Sequence, residues 1–215
     1  MKAAELVFIL DKSGSMAGLE SDTIGGFNSM LQKQKALDGE CRITTVLFDN
    51  HYELLHDRID IRAVGPMTER EYQVGGSTAL LDAIGRTIQK LVGVQRNTAE
   101  EYRAESVMFV IITDGAENSS REYSSRKVKA MIEHEKEQYG WEFVFLGANI
   151  AAVETAGRFG IASDRAVDYV PDGAGTELNF QMMSETAAAF RTTGVMPQAP
   201  LEAVRRDMRK RGWRK

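Results

Sequence analysis

Asp11, Ser13 and Ser15 occupy alternate positions in the stretch LVFILDKSGSMAG, directly after five consecutive apolar residues. One carboxylate and two hydroxyls at that spacing could cap a helix, cradle a phosphate, act as a nucleophile or hold a metal. Two distant segments have the same polar, small-residue character: Gly75-Gly76-Ser77-Thr78, and Thr113-Asp114-Gly115 in VIITDGAEN. With Thr78 and Asp114 the set becomes two carboxylates and three hydroxyls. This oxygen-only set suits a hard cation such as Mg²⁺ or Mn²⁺. Gly14 lets the first loop curl without a side-chain clash, and Gly75 and Gly76 do the same for the Thr78 loop. The hydroxyls are neutral. If one carboxylate binds through water, the cation still demands an anionic oxygen from outside, which is the chemistry of a docking site.

The competing chemistries leave weaker traces. Lys12-Ser13 looks like the end of a phosphate loop, but no glycine series precedes it. A hydrolase elbow of the Gly-x-Ser-x-Gly type is absent. The three histidines, His51, His56 and His134, are expected at the surface rather than as a catalytic base. A Mg²⁺-dependent phosphotransferase or phosphohydrolase using Asp11 is the alternative function. Such enzymes want a second acid two residues on to protonate the leaving group, and Ser13 stands there. Asp82 reads as a solvated helix residue, with the orientation of a metal-bound water as its other role. Glu117 and Asn118 are candidate partner contacts, and Lys12 is a candidate rim charge.

These loops need elements to hold them. The apolar runs LVFIL (6–10), ITTVLF (43–48), VMFVII (107–112) and FVFL (143–146) are short and rich in β-branched and aromatic residues, which predicts buried strands. Between them, helical spacing links Ile24, Phe27 and Leu31 after Ser21 and Asp22. It also links Leu80, Ile84, Ile88 and Leu91 after Ser77, and Val128, Met131 and Ile132 after Ser124 and Ser125. Asn149 could cap a helix carrying Val153 and Phe159, and residues 176–191 read as another helix. Strands alternating with helices predict a doubly wound, mostly parallel α/β sheet with helices on both faces. In ITTVLFDNHYELLHD the Asp49-Asn50 pair predicts a hairpin, hence one antiparallel edge strand. In such sheets ligands bind beyond the carboxyl ends of the strands, where the three polar segments lie.

The chain has 215 residues, 43% hydrophobic and 27% charged, the profile of a globular domain with a sizeable core. Its net charge of −4 offers no general attraction to nucleic acid. Residues 205–215 are the exception, with seven basic residues and one acid. The division expected is a domain over 1–195, then a linker broken by two prolines and a basic C-terminal tail over 196–215. Such a tail is usually a solvated terminus, and nucleic-acid binding through it, with Trp213 as a stacking group, is disfavoured. A single cysteine excludes an internal disulfide, and no apolar run reaches the length of a signal core or membrane span. The expectation is a cytoplasmic protein with no membrane partner.

The three loops resemble those of the von Willebrand factor type A (vWA) domain, a Rossmann-like fold. DKSGS at 11–15, GGST at 75–78 and TDG at 113–115 match its metal-ion-dependent adhesion site (MIDAS) through Asp11, Ser13, Ser15, Thr78 and Asp114. The resemblance runs over roughly residues 4–192, and the chain is similar to small stand-alone bacterial members. It implies a sheet of about six strands with the short edge strand antiparallel. It implies a protein-binding, magnesium-type site, with Mn²⁺ or Ca²⁺ as substitutes, whose remaining position takes an Asp or Glu carboxylate from a protein partner. It further implies that Ser13 and Ser15 bind the metal directly, that Thr78 and Asp114 exchange between direct and water-mediated contact, and that the protein is not an enzyme.

Overall fold

The computed structural model describes residues 3–197 and 199–212; Trp213 of the basic stretch lies outside them. Six strands form one sheet: β1 (Ala4–Asp11), β2 (Cys41–Phe48), β3 (Tyr52–Asp60), β4 (Ser106–Thr113), β5 (Glu142–Gly147) and β6 (Ala166–Asp168). Their order is β3-β2-β1-β4-β5-β6, with only the β2–β3 pair antiparallel. Six α-helices accompany them: α1 (Glu20–Lys35), α2 (Leu80–Arg96), α3 (Ser125–Tyr139), α4 (Ala152–Arg158), α5 (Gly173–Thr193) and α6 (Ala199–Lys210). The expected doubly wound sheet and its antiparallel edge are both present.

Strand alternation divides the core into two layers. Leu6, Phe8 and Leu10 of β1 pack with Phe27 and Leu31 of α1 and with Phe180 and Met183 of α5. Val7 and Ile9 face the other way, toward Ile84 and Ile88 of α2, Val128 and Ile132 of α3, and Ala152 and Ala156 of α4. Because β1 is covered on both faces, its run is continuously apolar. From β1 the chain winds first to β2, then crosses back to β4 on the other side of β1. This reversal is the switch point of the sheet, and it places the loops after β1 and β4 side by side.

Several local expectations shift. Ser124 caps α3, accepting the Lys127 N–H (3.3 Å). α1 and α2, however, start from Leu19 and Ala79 rather than from Ser21 or Ser77. α4 begins after Ala151, and its first N–H groups include that of Ala152, which donates to Asp168 Oδ1 (2.9 Å). α5 is longer than 176–191 because Asp172 caps it, accepting the Gly175 N–H (2.7 Å), and Gly194 ends it in the left-handed region (φ 71°).

Beyond α5, the stretch expected to be solvated forms α6. Its Leu201 and Val204 are buried in the same layer as α1 and α5. Much of its charge is spent within the fold. Arg205 reaches Glu202 and the carbonyls of Ser163 and Ala166, and Arg211 pairs with Asp172 and Asp207. The described basic residues up to Lys210 therefore belong to an amphipathic helix, a pattern hidden in sequence by the density of arginine.

His56 also departs from expectation. It is buried, its Nδ1 lies 3.0 Å from Thr45 Oγ1 and its ring stacks on Phe27 at 6.4 Å. Burial pushes its imidazole below the ordinary value, with Glu71 acting weakly in the opposite sense. It is a core histidine, whereas His51 and His134 are exposed as expected.

Candidate metal centre

β1 ends in Asp11, and the chain turns at once through Ser13 into a single 3₁₀ turn (Gly14–Met16). Backbone hydrogen bonds then join this loop to its neighbours. Lys12 N–H donates to Phe48 O (2.7 Å), Gly14 N–H to Gly76 O (3.1 Å), and Gly75 N–H to Lys12 O (2.9 Å). Gly76 adopts φ +74°, and a Cβ there would lie 2.2 Å from Asn50 Oδ1. Only glycine serves this turn, which delivers Thr78 to the Asp11 loop.

The three hydroxyls meet. Thr78 Oγ1 donates to Ser13 Oγ (3.0 Å), and Ser13 Oγ lies 3.0 Å from Ser15 Oγ. They converge on Gly115: a Cβ built there would lie 2.6 Å from Thr78 Oγ1, 2.9 Å from Ser15 Oγ and 3.3 Å from Ser13 Oγ. Asp11 sits behind Ser13, its carboxylate accepting the Ser13 N–H (2.7 Å) and Thr113 Oγ1–H (2.5 Å). Tyr72 O–H donates to the Asp11 carbonyl from below. Asp114 lies beside Ser15, and among the described residues its buried Oδ1 has no hydrogen-bond partner. All five residues proposed from sequence thus gather at the switch point.

The electrostatics fit a cation. Burial raises the Asp11 carboxyl above its ordinary value, against the pull of hydrogen bonds from Ser13 and Thr113. Burial likewise raises Asp114, with the nearby Ser15 hydroxyl opposing and the Asp11 charge adding to the rise. Lys12, the nearest base in sequence, does not relieve them, because its ammonium pairs with Glu53 of β3 (2.5 Å) rather than standing at the rim. Two buried carboxylates, one with an orphaned oxygen, and three converging hydroxyls form a donor set that a hard divalent cation could complete. Among the described residues no group of three or more His, Cys, Asp or Glu offers a metal site, which leaves this mixed carboxylate–hydroxyl cluster as the candidate.

A second layer of residues holds the cluster, and sequence reasoning had assigned them differently. Asp82 is buried in the first turn of α2, where its carboxylate accepts the N–H groups of Arg121 (2.8 Å), Glu122 (2.9 Å) and Tyr123 (2.9 Å). Glu117 accepts from Leu81 N–H (2.9 Å), Ser119 N–H (3.0 Å) and Ser120 N–H (2.8 Å). Asn118 Oδ1 accepts the Thr78 N–H (2.9 Å). The loop after β4 is therefore clamped to the start of α2, and Glu117 and Asn118 both bond into that clamp. The available signal was the run of Glu, Asn and Ser immediately after Asp114, whose short side chains favour bonds to nearby backbone.

Burial alone would raise the Asp82 carboxyl, but the three N–H donors outweigh it and hold the group below its ordinary value. A carboxyl depressed in the folded state stabilises it above the unfolded pKa of about 3.9, and that contribution is lost as pH falls through the lower folded value. Asp82→Asn removes the charge and is expected to cost about 1–3 kcal/mol at neutral pH. The cost should shrink toward zero in strongly acid solution. Urea titrations across pH check this, and a cost that stays constant with pH would contradict the assignment.

No family model and no curated protein matches the sequence. Solved structures do. A von Willebrand factor type A protein from Catenulispora acidiphila aligns at TM-score 0.57 and 13% identity over 87% of this chain and 43% of its own. Proximal thread matrix protein 1 from the mussel byssus, with a zinc-occupied MIDAS motif, aligns at 0.61 and 10%, over 87% of this chain and 48% of its own. The pilus adhesin SpaC from Lactobacillus rhamnosus GG in its open conformation aligns at 0.63 and 12%, over 86% and 30%. The chain thus spans less than half the length of each. The protein has a von Willebrand factor type A-like fold, shared with these structures at 10–13% identity.

Proposed function

We propose that this protein is a metal-dependent protein-interaction module whose MIDAS is formed by Asp11, Ser13, Ser15, Thr78 and Asp114. The observation that carries the reading is the convergence of three hydroxyls on Gly115 beside an Asp114 oxygen that is buried and unpartnered. Mg²⁺ is the cation of choice, with Mn²⁺ or Ca²⁺ as substitutes, because every donor is a hard oxygen. When bound, the cation supplies an electrophilic position for an anionic oxygen, and an Asp or Glu carboxylate of a protein partner fills it. The neighbours' own names, an adhesin and a byssal matrix protein among them, support a binding role over catalysis.

The phosphotransfer alternative gains nothing from the geometry. Both carboxylate oxygens of Asp11 are engaged, one by Ser13 N–H and one by Thr113 O–H, which blunts it as a nucleophile. The place of a second acid is taken by Ser13, whose hydroxyl is bonded within the cluster. The basic C-terminal stretch does not favour nucleic acid either, since Arg205 and Arg211 are committed to internal partners. No described helix is long and apolar enough to cross a membrane.

Affinity capture from the native host, in Mg²⁺ and in EDTA, tests the proposal. At least one partner should be retained in Mg²⁺, lost in EDTA, and lost with Asp11→Ala even when Mg²⁺ is present. Removing one of two neighbouring carboxylates relieves repulsion in the metal-free protein, so the variant should remain folded. A set of partners indifferent to both chelation and the substitution would end the docking hypothesis.

A further inference from the structure

At the opposite end of the sheet from Asp11, a cavity of about 350 Å³ opens between the C-terminal turns of α2 and α3 and the amino ends of β4 and β5. Its volume is that of a small-molecule site. Trp141 forms one wall, 5% exposed and held by a stack on Phe109 at 5.5 Å, and Tyr139 stands exposed at the mouth. Arg96 and Arg103 line the cavity, and among the described residues neither has an acidic partner; Arg103 spends only its Nε, on the Thr98 carbonyl (2.8 Å). Gln95 Nε2 is buried there with no acceptor. The buried Glu135 carboxylate also lines it and, among the described residues, meets only the His134 ring (3.0 Å).

These groups ask for complementary chemistry in one molecule. The exposed Tyr139 ring at the mouth suits a planar ring, two guanidinium groups suit a dianion, and Glu135, an acceptor when ionised, needs a donor. The orphaned Gln95 amide needs an acceptor. We infer that this cavity binds a nucleoside monophosphate, with the base on Tyr139 and beside the edge of Trp141, the phosphate on Arg96 and Arg103, and a ribose hydroxyl or exocyclic amine on Glu135. An aromatic amino acid offers a ring, an anion and a donor too, but its single carboxylate leaves one guanidinium unmatched. The site uses none of the residues of the metal centre, so the two readings stand or fall separately.

Isothermal titration of the full chain with AMP in EDTA tests this without involving the metal centre. AMP should bind, with adenosine and inorganic phosphate each at least about tenfold weaker, because each lacks half of the contacts. Arg96→Ala and Arg103→Ala should each weaken AMP about tenfold or more, and Gln95→Leu by a smaller factor. Both arginines are exposed, so these variants should keep the parent melting temperature. Quenching of tryptophan fluorescence by AMP should disappear in Trp141→Phe. No binding at about millimolar AMP, tighter binding of L-tryptophan than of AMP, or unchanged affinity in folded Arg96→Ala and Arg103→Ala would each overturn the inference.

Discussion

Gly115→Ala is expected to abolish stabilisation by divalent cations while leaving the fold intact. The added methyl would sit 2.6 Å from Thr78 Oγ1 and 2.9 Å from Ser15 Oγ, closer than a Cβ approaches any oxygen. Both atoms are rotatable side-chain ends, so the clash resolves by turning the hydroxyls away, not by moving backbone. Gly115 does not have positive φ, so alanine introduces no backbone strain. With metal at about a hundredfold over its dissociation constant, the wild-type protein should gain ~2.7 kcal/mol. For a chain of this size that amounts to roughly 5–10 °C in melting temperature. The variant should gain none, and in EDTA it should melt close to the wild type. Asp114→Asn should behave alike, because the orphaned oxygen loses its charge. Equal metal-induced shifts in wild type and both variants would remove Gly115 and Asp114 from the site.

Arg58→Ala should be the most damaging single change away from that cluster. Glu5 lies in β1 with its side chain wholly buried, and Arg58 Nε donates to its Oε1 (2.7 Å) from β3, two strands away. Among the described residues Glu5 Oε2 has no hydrogen-bond partner. The pair is reached across β2 by an irregularity in the β2–β3 register, where Arg58 takes φ +49° and its N–H donates to Thr44 Oγ1 (3.3 Å). Removing the guanidinium leaves a carboxylate in the core with nothing to balance it, at a cost of about 3–5 kcal/mol. Glu5→Leu combined with Arg58→Leu should recover most of that loss, since an apolar pair of similar volume needs no compensation. Denaturant unfolding of both single variants and the double variant measures the coupling. A loss below about 1 kcal/mol in Arg58→Ala would mean that water already reaches Glu5.

Neither residue of that pair drew notice from periodicity, which registers how apolar a position is and not which distant charge will face it. Glu5 precedes LVFIL and reads as the polar edge of a strand, although β1 is buried from its first residue. Asp82 and Glu117 misled in a similar way. Asp82 reads as a solvated acid and Glu117 as a partner contact. Asp82 is instead consumed by the N–H groups of Arg121, Glu122 and Tyr123, and Glu117 by that of Leu81 as well as its neighbours Ser119 and Ser120, the distant donors reaching them only once α2 and the β4 loop have docked. The docking of α6 was hidden because Leu201 and Val204 are two apolar positions among many charges, and a face that narrow shows itself only against a receiving surface.

The order of elements, the parallel sheet and its antiparallel edge were legible because each rests on local regularities: runs of β-branched residues, helical spacing and a turn pair. The five candidate ligands were legible for a related reason, since each lies just beyond a strand or before a helix and the topology of such sheets brings those ends together. Sequence by itself thus determined which oxygens meet at the switch point. Tertiary structure alone decided that three hydroxyls point at Gly115, that Lys12 turns away to Glu53, and that Asp114 keeps an unpartnered oxygen. Those outcomes depend on side-chain direction and burial, which arise only when distant segments exclude water from one another, and no spacing along the chain encodes them.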